Sequence, residues 1–343
     1  MSDDSAIFAR GLLSGQAALV TGGGTGLGKA TALELARCGA SVTIAGRRED
    51  VLAEAAGKIA AVATGEVHTL VGDIREPDDA RRLIGESLQR AGRLDLLVNN
   101  AGGQFFSPAE RIATKGWRAV WRLNVEGMLN MAEAAYELAF AAEGGRSDVR
   151  AGGGAAGGGG TASAGGDLSA GKDAGAGGTP SAGAGLSAGE EVSGGADRQA
   201  GGNGRAVGSI VNVTLSPHHG MPGMAHSGAA RATVEALTRE LARRWGPAGV
   251  TVTAIAVGTF DTEVMVKYPA AVRAGMSRSV PLQRTGTVAE HAWLVALLAS
   301  PLGAAFNGTT VTLDGARDNW FGPWPPPGLA DDAGEVPVEE RHS

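Results

Sequence analysis

Residues 21–28 read Thr21-Gly22-Gly23-Gly24-Thr25-Gly26-Leu27-Gly28, between an apolar run at 17–21 and a helical pattern that continues to Cys38. Glycines in such a turn let the backbone approach a phosphate, and the following helix offers free N–H groups at its positive end. The chemistry implied is the seating of a pyrophosphate, with the spacing T-G-x-x-x-G-x-G instead of G-x-G-x-x-G. A second motif, Asn99-Asn100-Ala101-Gly102, follows the apolar run 94–98. Open parallel sheets bind their ligands at that strand edge. A third signal is charge: Arg47 and Arg48 follow Ala45-Gly46 at the end of the run 41–45, and Lys29 stands beside the last glycine. A carboxylate in that place accepts a ribose 2′-hydroxyl, whereas a guanidinium pairs with a 2′-phosphate that a carboxylate would repel. These residues predict NADPH as the bound dinucleotide.

Such motifs work only if strands and helices place them at one edge. Apolar runs at 17–21, 41–45, 67–71, 94–98, 207–213, 250–256 and 309–313 predict strands. Between them lie helical patterns: one from the glycine turn to Cys38, one from near Glu49, and one after Pro77, a residue suited to a first turn. Further patterns cover 118–142, 225–244 and 288–299; in the first, Leu123, Met128, Met131, Ala135 and Leu138 share one face. Regular β-α alternation implies a parallel sheet covered on both faces. The expected fold class is α/β, a Rossmann-type doubly wound parallel sheet of about seven strands with a disordered Gly/Ala-rich insertion. The expected organisation is residues 1–143 as the cofactor half, 144–205 as the insertion, 206–313 as the catalytic and substrate half, and 314–343 as a tail.

The insertion accounts for much of an unusual composition. Of 56 glycines, 23 fall within 144–205, beside 13 alanines and only four larger aliphatics, Val149, Leu168, Leu186 and Val192. Burial worth about 1.5–3 kcal/mol per aliphatic side chain does not offset ordering costs of about 1–2 kcal/mol per residue over such a length. The tail differs again, with Trp320, Phe321 and Trp324 among Pro323, Pro325, Pro326 and Pro327. A net charge of −6 gives no basic footprint for nucleic acid. No apolar run reaches the roughly 18 residues of a membrane span, and the acidic start lacks the marks of a signal peptide. A single cysteine, Cys38, forms no internal disulfide. The expectation is a cytoplasmic chain without a metal site, since no spaced Cys/His/carboxylate set occurs.

The glycine loop and the N-N-A-G segment, at this separation, resemble the short-chain dehydrogenase/reductase family over the whole chain outside the insertion and tail. The resemblance implies that Thr21, Gly22, Gly24, Thr25, Gly26, Leu27 and Gly28 hold the dinucleotide phosphates, and that Asn100, Ala101 and Gly102 border the adenosine. It places Asp73 and Ile74 at the adenine ring, and Gly258, Thr259 and Thr262 at the nicotinamide, although the usual proline of that segment is Val257 here. It also implies a homotetramer or homodimer.

Catalysis departs from the family pattern of serine, Y-x-x-x-K and asparagine. Asn124 in Leu123-Asn124-Val125-Glu126-Gly127 matches the asparagine. Aligning Pro222-Gly223 and the helix that follows puts Ser227 where the tyrosine belongs and Arg231 where the lysine belongs. Ser216, favoured over Thr214, takes the place of the serine. The chain has two tyrosines, Tyr136 and Tyr268, and neither slides into that position. A serine hydroxyl is a poor general acid, and arginine does not relay a proton as lysine does. Carbonyl–alcohol chemistry thereby loses its acid, whereas reduction of a conjugated C=C bond needs donors aimed at a developing enolate oxygen. Ser227 and Arg231 suit that task, with Tyr268 as an acid carried on the segment over the substrate and Arg231 also at the nicotinamide ribose. Gly102-Gly103-Gln104-Phe105, Ser107-Pro108-Ala109-Glu110 and His226-Ser227-Gly228-Ala229-Ala230-Arg231 resemble the trans-2-enoyl-CoA and 2,4-dienoyl-CoA reductase branch. The expected partner is a small acyl thioester substrate, reduced with NADPH. Two alternatives stay open: an alcohol or carbonyl dehydrogenase with a displaced acid, and a non-catalytic dinucleotide-binding homologue.

Overall fold

The computed structural model describes residues 4–141, 207–215, 223–263, 265, 276, 277 and 280–319. The insertion 144–205, Ser216, Tyr268 and the tail beyond 319 lie outside these residues. The first half runs β1 (Ala17–Thr21), α1 (Gly26–Arg37), β2 (Ser41–Gly46), α2 (Glu49–Ala60), β3 (Val67–Val71), α3 (Pro77–Ala91) and β4 (Leu96–Asn99). It then continues through α4 (Thr114–Trp121) and α5 (Gly127–Ala135). The second half holds β5 (Gly208–Leu215), α6 (Ala225–Trp245), β6 (Val250–Val257), β7 (Phe260–Asp261), β8 (Gly286–Thr287), α7 (Val288–Ala299) and β9 (Thr310–Leu313). Seven parallel strands make one Rossmann-like sheet in the order β3-β2-β1-β4-β5-β6-β9.

Side chains alternate between the two faces of this sheet, as period-2 geometry requires. Leu19, Leu97 and Ile210 join one apolar layer with residues of α3, α5 and α6. Val20, Val98 and Val211 join the other with residues of α1, α2 and α7. Both faces being covered, the strands read as nearly continuous apolar runs. Chain order reverses between β1 and β4, and this switch opens a crevice at the C-terminal strand edge.

Two features differ from the sequence expectation. The helical stretch expected from 118 begins at Thr114 and contains wide turns at Arg122–Glu126 and Tyr136–Phe140. Within α4 only Val120 is buried, so its first turn shows no apolar stripe from which to read a start. The second feature is the short parallel pair β7–β8, with Phe260 opposite Gly286. A methyl group at Gly286 would stand 2.6 Å from the Phe260 ring, so the glycine is what lets these strands meet.

A buried polar chain crosses the sheet centre and reaches α6. Asn99 Nδ2 donates to Asn212 Oδ1 at 3.0 Å, and Asn212 Nδ2 donates to Thr238 Oγ1 at 2.9 Å. Asn212 and Thr238 are fully buried, so each bond lost leaves polar atoms without water. Asn212→Ala is expected to cost about 2 kcal/mol of stability, read as a lowered urea midpoint at unchanged m-value. A midpoint equal to that of the parent protein would contradict this account.

Candidate dinucleotide and catalytic site

Thr21 ends β1 with its hydroxyl buried. That hydroxyl donates to the Val98 carbonyl at 3.2 Å and accepts from the Asn100 and Ala101 amides, both at 3.0 Å. Asn100 Nδ2 returns to the Thr21 and Gly22 carbonyls at 2.9 and 3.3 Å. Four of these hydrogen bonds weld the end of β1 and the glycine loop to the N-N-A-G segment, and the fifth ties Thr21 to β4. Gly22 has φ of +64° and Gly26 of +53°, conformations costly for any other residue. A methyl at Gly28 would overlap Asn100 Nδ2 and the Gly22 carbonyl. Thr21 and Gly28 therefore shape the loop from behind, without lining the open space.

That space is a cleft of about 430 Å³. Its walls include Gly22, Gly24, Thr25, Gly26 and Leu27 from the loop, with Arg47 and Arg48 beyond β2. Asp73, Ile74, Asn100, Ala101, Gly102 and Thr262 complete the predicted residues found there. Helix α1 starts at the cleft with no side-chain cap from Thr25 and no acidic residue in its first turn. Its free N–H groups suit an anion, and the guanidinium pair stands at the same rim. Arg75 Nε donates to both oxygens of Asp73, at 2.9 and 3.0 Å. This hydrogen bonding holds the Asp73 carboxyl below its ordinary range, and the nearby Arg47 charge acts in the same direction. Val51, Leu52 and Leu123 also line the cleft. Their types carry no signal of this role in the sequence, because apolar residues beside an arginine pair or an asparagine look like ordinary core.

Asn124 sits in the wide turn after α4, almost fully buried. Its Nδ2 donates to the Val120 and Gly103 carbonyls at 2.7 and 2.9 Å, and its Oδ1 accepts from the Gly103 amide at 3.1 Å. The extra residue in that turn is what points the side chain at the loop after β4. Arg231, on α6, reaches the same loop from the other side. Its Nη1 donates to the Val213 carbonyl at 3.0 Å, while Nε has no partner. A methyl at Gly102 would stand 2.6 Å from Arg231 Nη2 and 2.8 Å from Asn124 Oδ1, so the glycine admits both side chains. Burial brings the guanidinium down to about 10, which leaves it charged at neutral pH.

One turn before Arg231, Ser227 is fully buried and its Oγ has no partner. His226 beside it is likewise buried with both ring nitrogens unpartnered, packed 4.3 Å from the Phe105 ring centroid and 6.0 Å from that of Trp117. Desolvation lowers its pKa and keeps it neutral. Tyr136 stacks on Trp245 at 4.5 Å. It is the one tyrosine among the described residues, so none of these carries a phenol at the cleft. Gly258 and Thr259 are not among the residues that line the large cleft: Gly258 packs on Asp314, and Thr259 lines a cavity of about 60 Å³. Among the described residues no cluster of His, Cys, Asp and Glu is placed to hold a metal ion. No helix among them is long and apolar enough to cross a membrane.

Comparison with known proteins follows the two halves of the sheet. Residues 16–147 match the short chain dehydrogenase family, and residues 198–316 match the family described as enoyl-(acyl carrier protein) reductase. A probable 2,4-dienoyl-CoA reductase of Bacillus subtilis (strain 168) is 30% identical over 90% of this chain and 98% of its own. The peroxisomal 2,4-dienoyl-CoA reductase of Danio rerio is 28% identical over 90% of this chain and 83% of its own. Among solved structures, a citronellol catabolism dehydrogenase of Pseudomonas aeruginosa PAO1 is 32% identical with a TM-score of 0.65, covering 92% of this chain and all, 100%, of that one.

Gly28→Ala tests the loop. The added methyl must displace Asn100 or the Gly22 peptide, so affinity for a nicotinamide dinucleotide is expected to fall by roughly tenfold or more. Titration by fluorescence quenching reads the loss, and circular dichroism checks that the fold survives. Parent-like affinity would refute the packing argument.

Proposed function

Because the chain belongs to the short-chain dehydrogenase/reductase family of oxidoreductases, we propose that it is an NADPH-dependent reductase of the C=C bond of trans-2-enoyl-CoA thioesters. The observation that carries this reading is the buried pair Ser227 and Arg231, one helical turn apart with Oγ and Nε unpartnered, the Arg231 guanidinium lying against Gly102. Relatives named 2,4-dienoyl-CoA reductases support a conjugated acyl-CoA as substrate.

The residues present fit the dinucleotide: an uncapped helix start, a glycine loop and two arginines at one rim. When bound, NADPH supplies a hydride to the β-carbon of the unsaturated thioester. Arg47 and Arg48 would pair with the 2′-phosphate, and the α1 amides would hold the pyrophosphate. Asp73 and Ile74 would border the adenine. Asn124 fixes the loop carrying Gly102 and Gly103, against which Arg231 stands and from which it would meet the nicotinamide ribose. Charge then develops on the thioester oxygen as an enolate. Ser227 Oγ–H and the Arg231 guanidinium are donors already stripped of water, so aiming them at that oxygen costs little reorganisation. Ser216 and Tyr268 complete the proposed set, Tyr268 as proton source for the α-carbon.

The likeness to a citronellol catabolism dehydrogenase favours a second reading, an alcohol or carbonyl dehydrogenase with a displaced acid. NADPH oxidation with crotonyl- to dodecenoyl-CoA, run beside aldehydes and ketones, separates the two. Turnover is expected on the enoyl thioesters, and none on any of them would sink the first reading. NADPH binding without turnover on either class would point to a non-catalytic homologue. Ser227→Ala is expected to lower kcat by about 10²-fold with little change in KM, as for one lost oxyanion donor. Replacing Arg47 and Arg48 together by alanine is expected to raise the Kd for NADPH far more than that for NADH. An equal loss for both would refute the 2′-phosphate assignment.

A further inference from the structure

We infer that Glu263 is an internal occupant of the phosphate seat, and that its carboxylate sets how tightly this chain holds a dinucleotide. The inference rests on the dinucleotide reading of the cleft and not on the acyl-thioester reading.

The argument begins with an unmet charge. Helix α1 starts at Gly26 with no cap from Thr25 and no acidic side chain in its first turn. A helix end with free N–H groups and a positive dipole draws an anion. The chain supplies one from its other half. After β7, Thr262 lies 3.8 Å from where a Gly26 methyl would be, so this segment passes directly over the start of α1. Glu263 follows; its carboxylate accepts a hydrogen bond from the Lys29 ammonium, and the Gly26 amide adds to the same electrostatic pull on it. Lys29 is 17% exposed and Glu263 60%. The cation is thus anchored against the helix, while the carboxylate reaches in from solvent.

Those partners are the ones a pyrophosphate needs. The helix N-terminus and the adjacent ammonium cannot serve two anions at once, because carboxylate and phosphate repel at this range. Hydrogen bonding from Lys29 lowers the carboxyl pKa, so the group is ionised at neutral pH and competes as an anion. Its exposure means that it leaves the seat at small desolvation cost. Arrival of the dinucleotide therefore exchanges one anion for another and hands Lys29 to the phosphates. The affinity measured is the difference between two occupants, not the strength of one.

The test is a comparison of Glu263→Gln with Asp261→Asn, which removes the same charge from an exposed residue two positions away. Kd values for NADPH and NADH are read by fluorescence titration of the full chain. Glu263→Gln is expected to bind both dinucleotides about three- to tenfold more tightly, as loss of a competing anion at a helix terminus implies. Asp261→Asn should stay within about twofold of the parent. Affinity in Glu263→Gln equal to that of Asp261→Asn, or weaker than the parent, would overturn the inference; the weaker case would make Glu263 a latch over the bound dinucleotide. Failure of the parent to bind either dinucleotide would remove this inference together with the cofactor reading. Tightened binding without turnover on enoyl thioesters would leave it standing while the substrate reading fell.

Discussion

The hydroxyl of Thr21 joins two strand ends that chain order would otherwise send apart. At the reversal between β1 and β4 no crossover helix holds the edges together, so the crevice floor must be closed by side chains. Thr21 and Asn100 do this with hydrogen bonds to each other's backbone. The bonds are partly buried and join the two strand ends directly, so they fix the angle at which the glycine loop leaves the sheet. Gly28 has to be bare because Asn100 occupies the space beneath it. The loop, the helix start and the anion seat all inherit their position from this clamp. The residues most needed for the cleft are thus partly ones that a ligand would never touch.

Arg231 imposes the opposite kind of constraint. A buried guanidinium costs stability unless its charge and donors are met. The Val213 carbonyl meets one donor, and no ion pair to a carboxylate is found for it among the described residues. Asn124 and Gly102 crowd the group without neutralising it. Such an arrangement is poor as structure, since it leaves a buried donor without an acceptor. Ser227 repeats the pattern one turn earlier. The strain of leaving these donors unmet is borne by the apolar layers on both sheet faces.

Much of this was legible in the sequence. Apolar runs and glycine punctuation mark the seven strands to within two residues at each end, because strands buried on both faces leave little room for polar residues. The glycine loop was legible because its function requires absent side chains, and absence is easy to read. The start of α4 was hidden, since Lys115, Trp117 and Trp121 face outward and leave no periodic stripe. The wide turn at Asn124 was hidden too, because backbone hydrogen bonding by i→i+5 has no compositional mark. Lys29 reads in sequence as a cation for phosphate, yet its partner Glu263 depends on a long-range crossing that no local pattern encodes.

The two tyrosines show why a scarce residue type is informative only with geometry beside it. Tyr136 is spent on Trp245, where its ring fills the interface between the second wide turn and the end of α6. Moving that phenol to the cleft would leave a gap in the core and still miss the helix face that carries Ser227. The position one turn before Arg231 is instead filled by Ser227, a side chain too small and too weakly acidic to protonate an alkoxide, but well sized to donate to an oxyanion. With arginine in place of lysine, the positive charge beside it persists across the neutral range and does not shuttle protons. Both exchanges push the same way: the site keeps electrostatic stabilisation and gives up proton relay. A reaction whose transition state places its charge on a conjugated oxygen, and takes its proton later at carbon, makes use of what is kept and does not need what is lost.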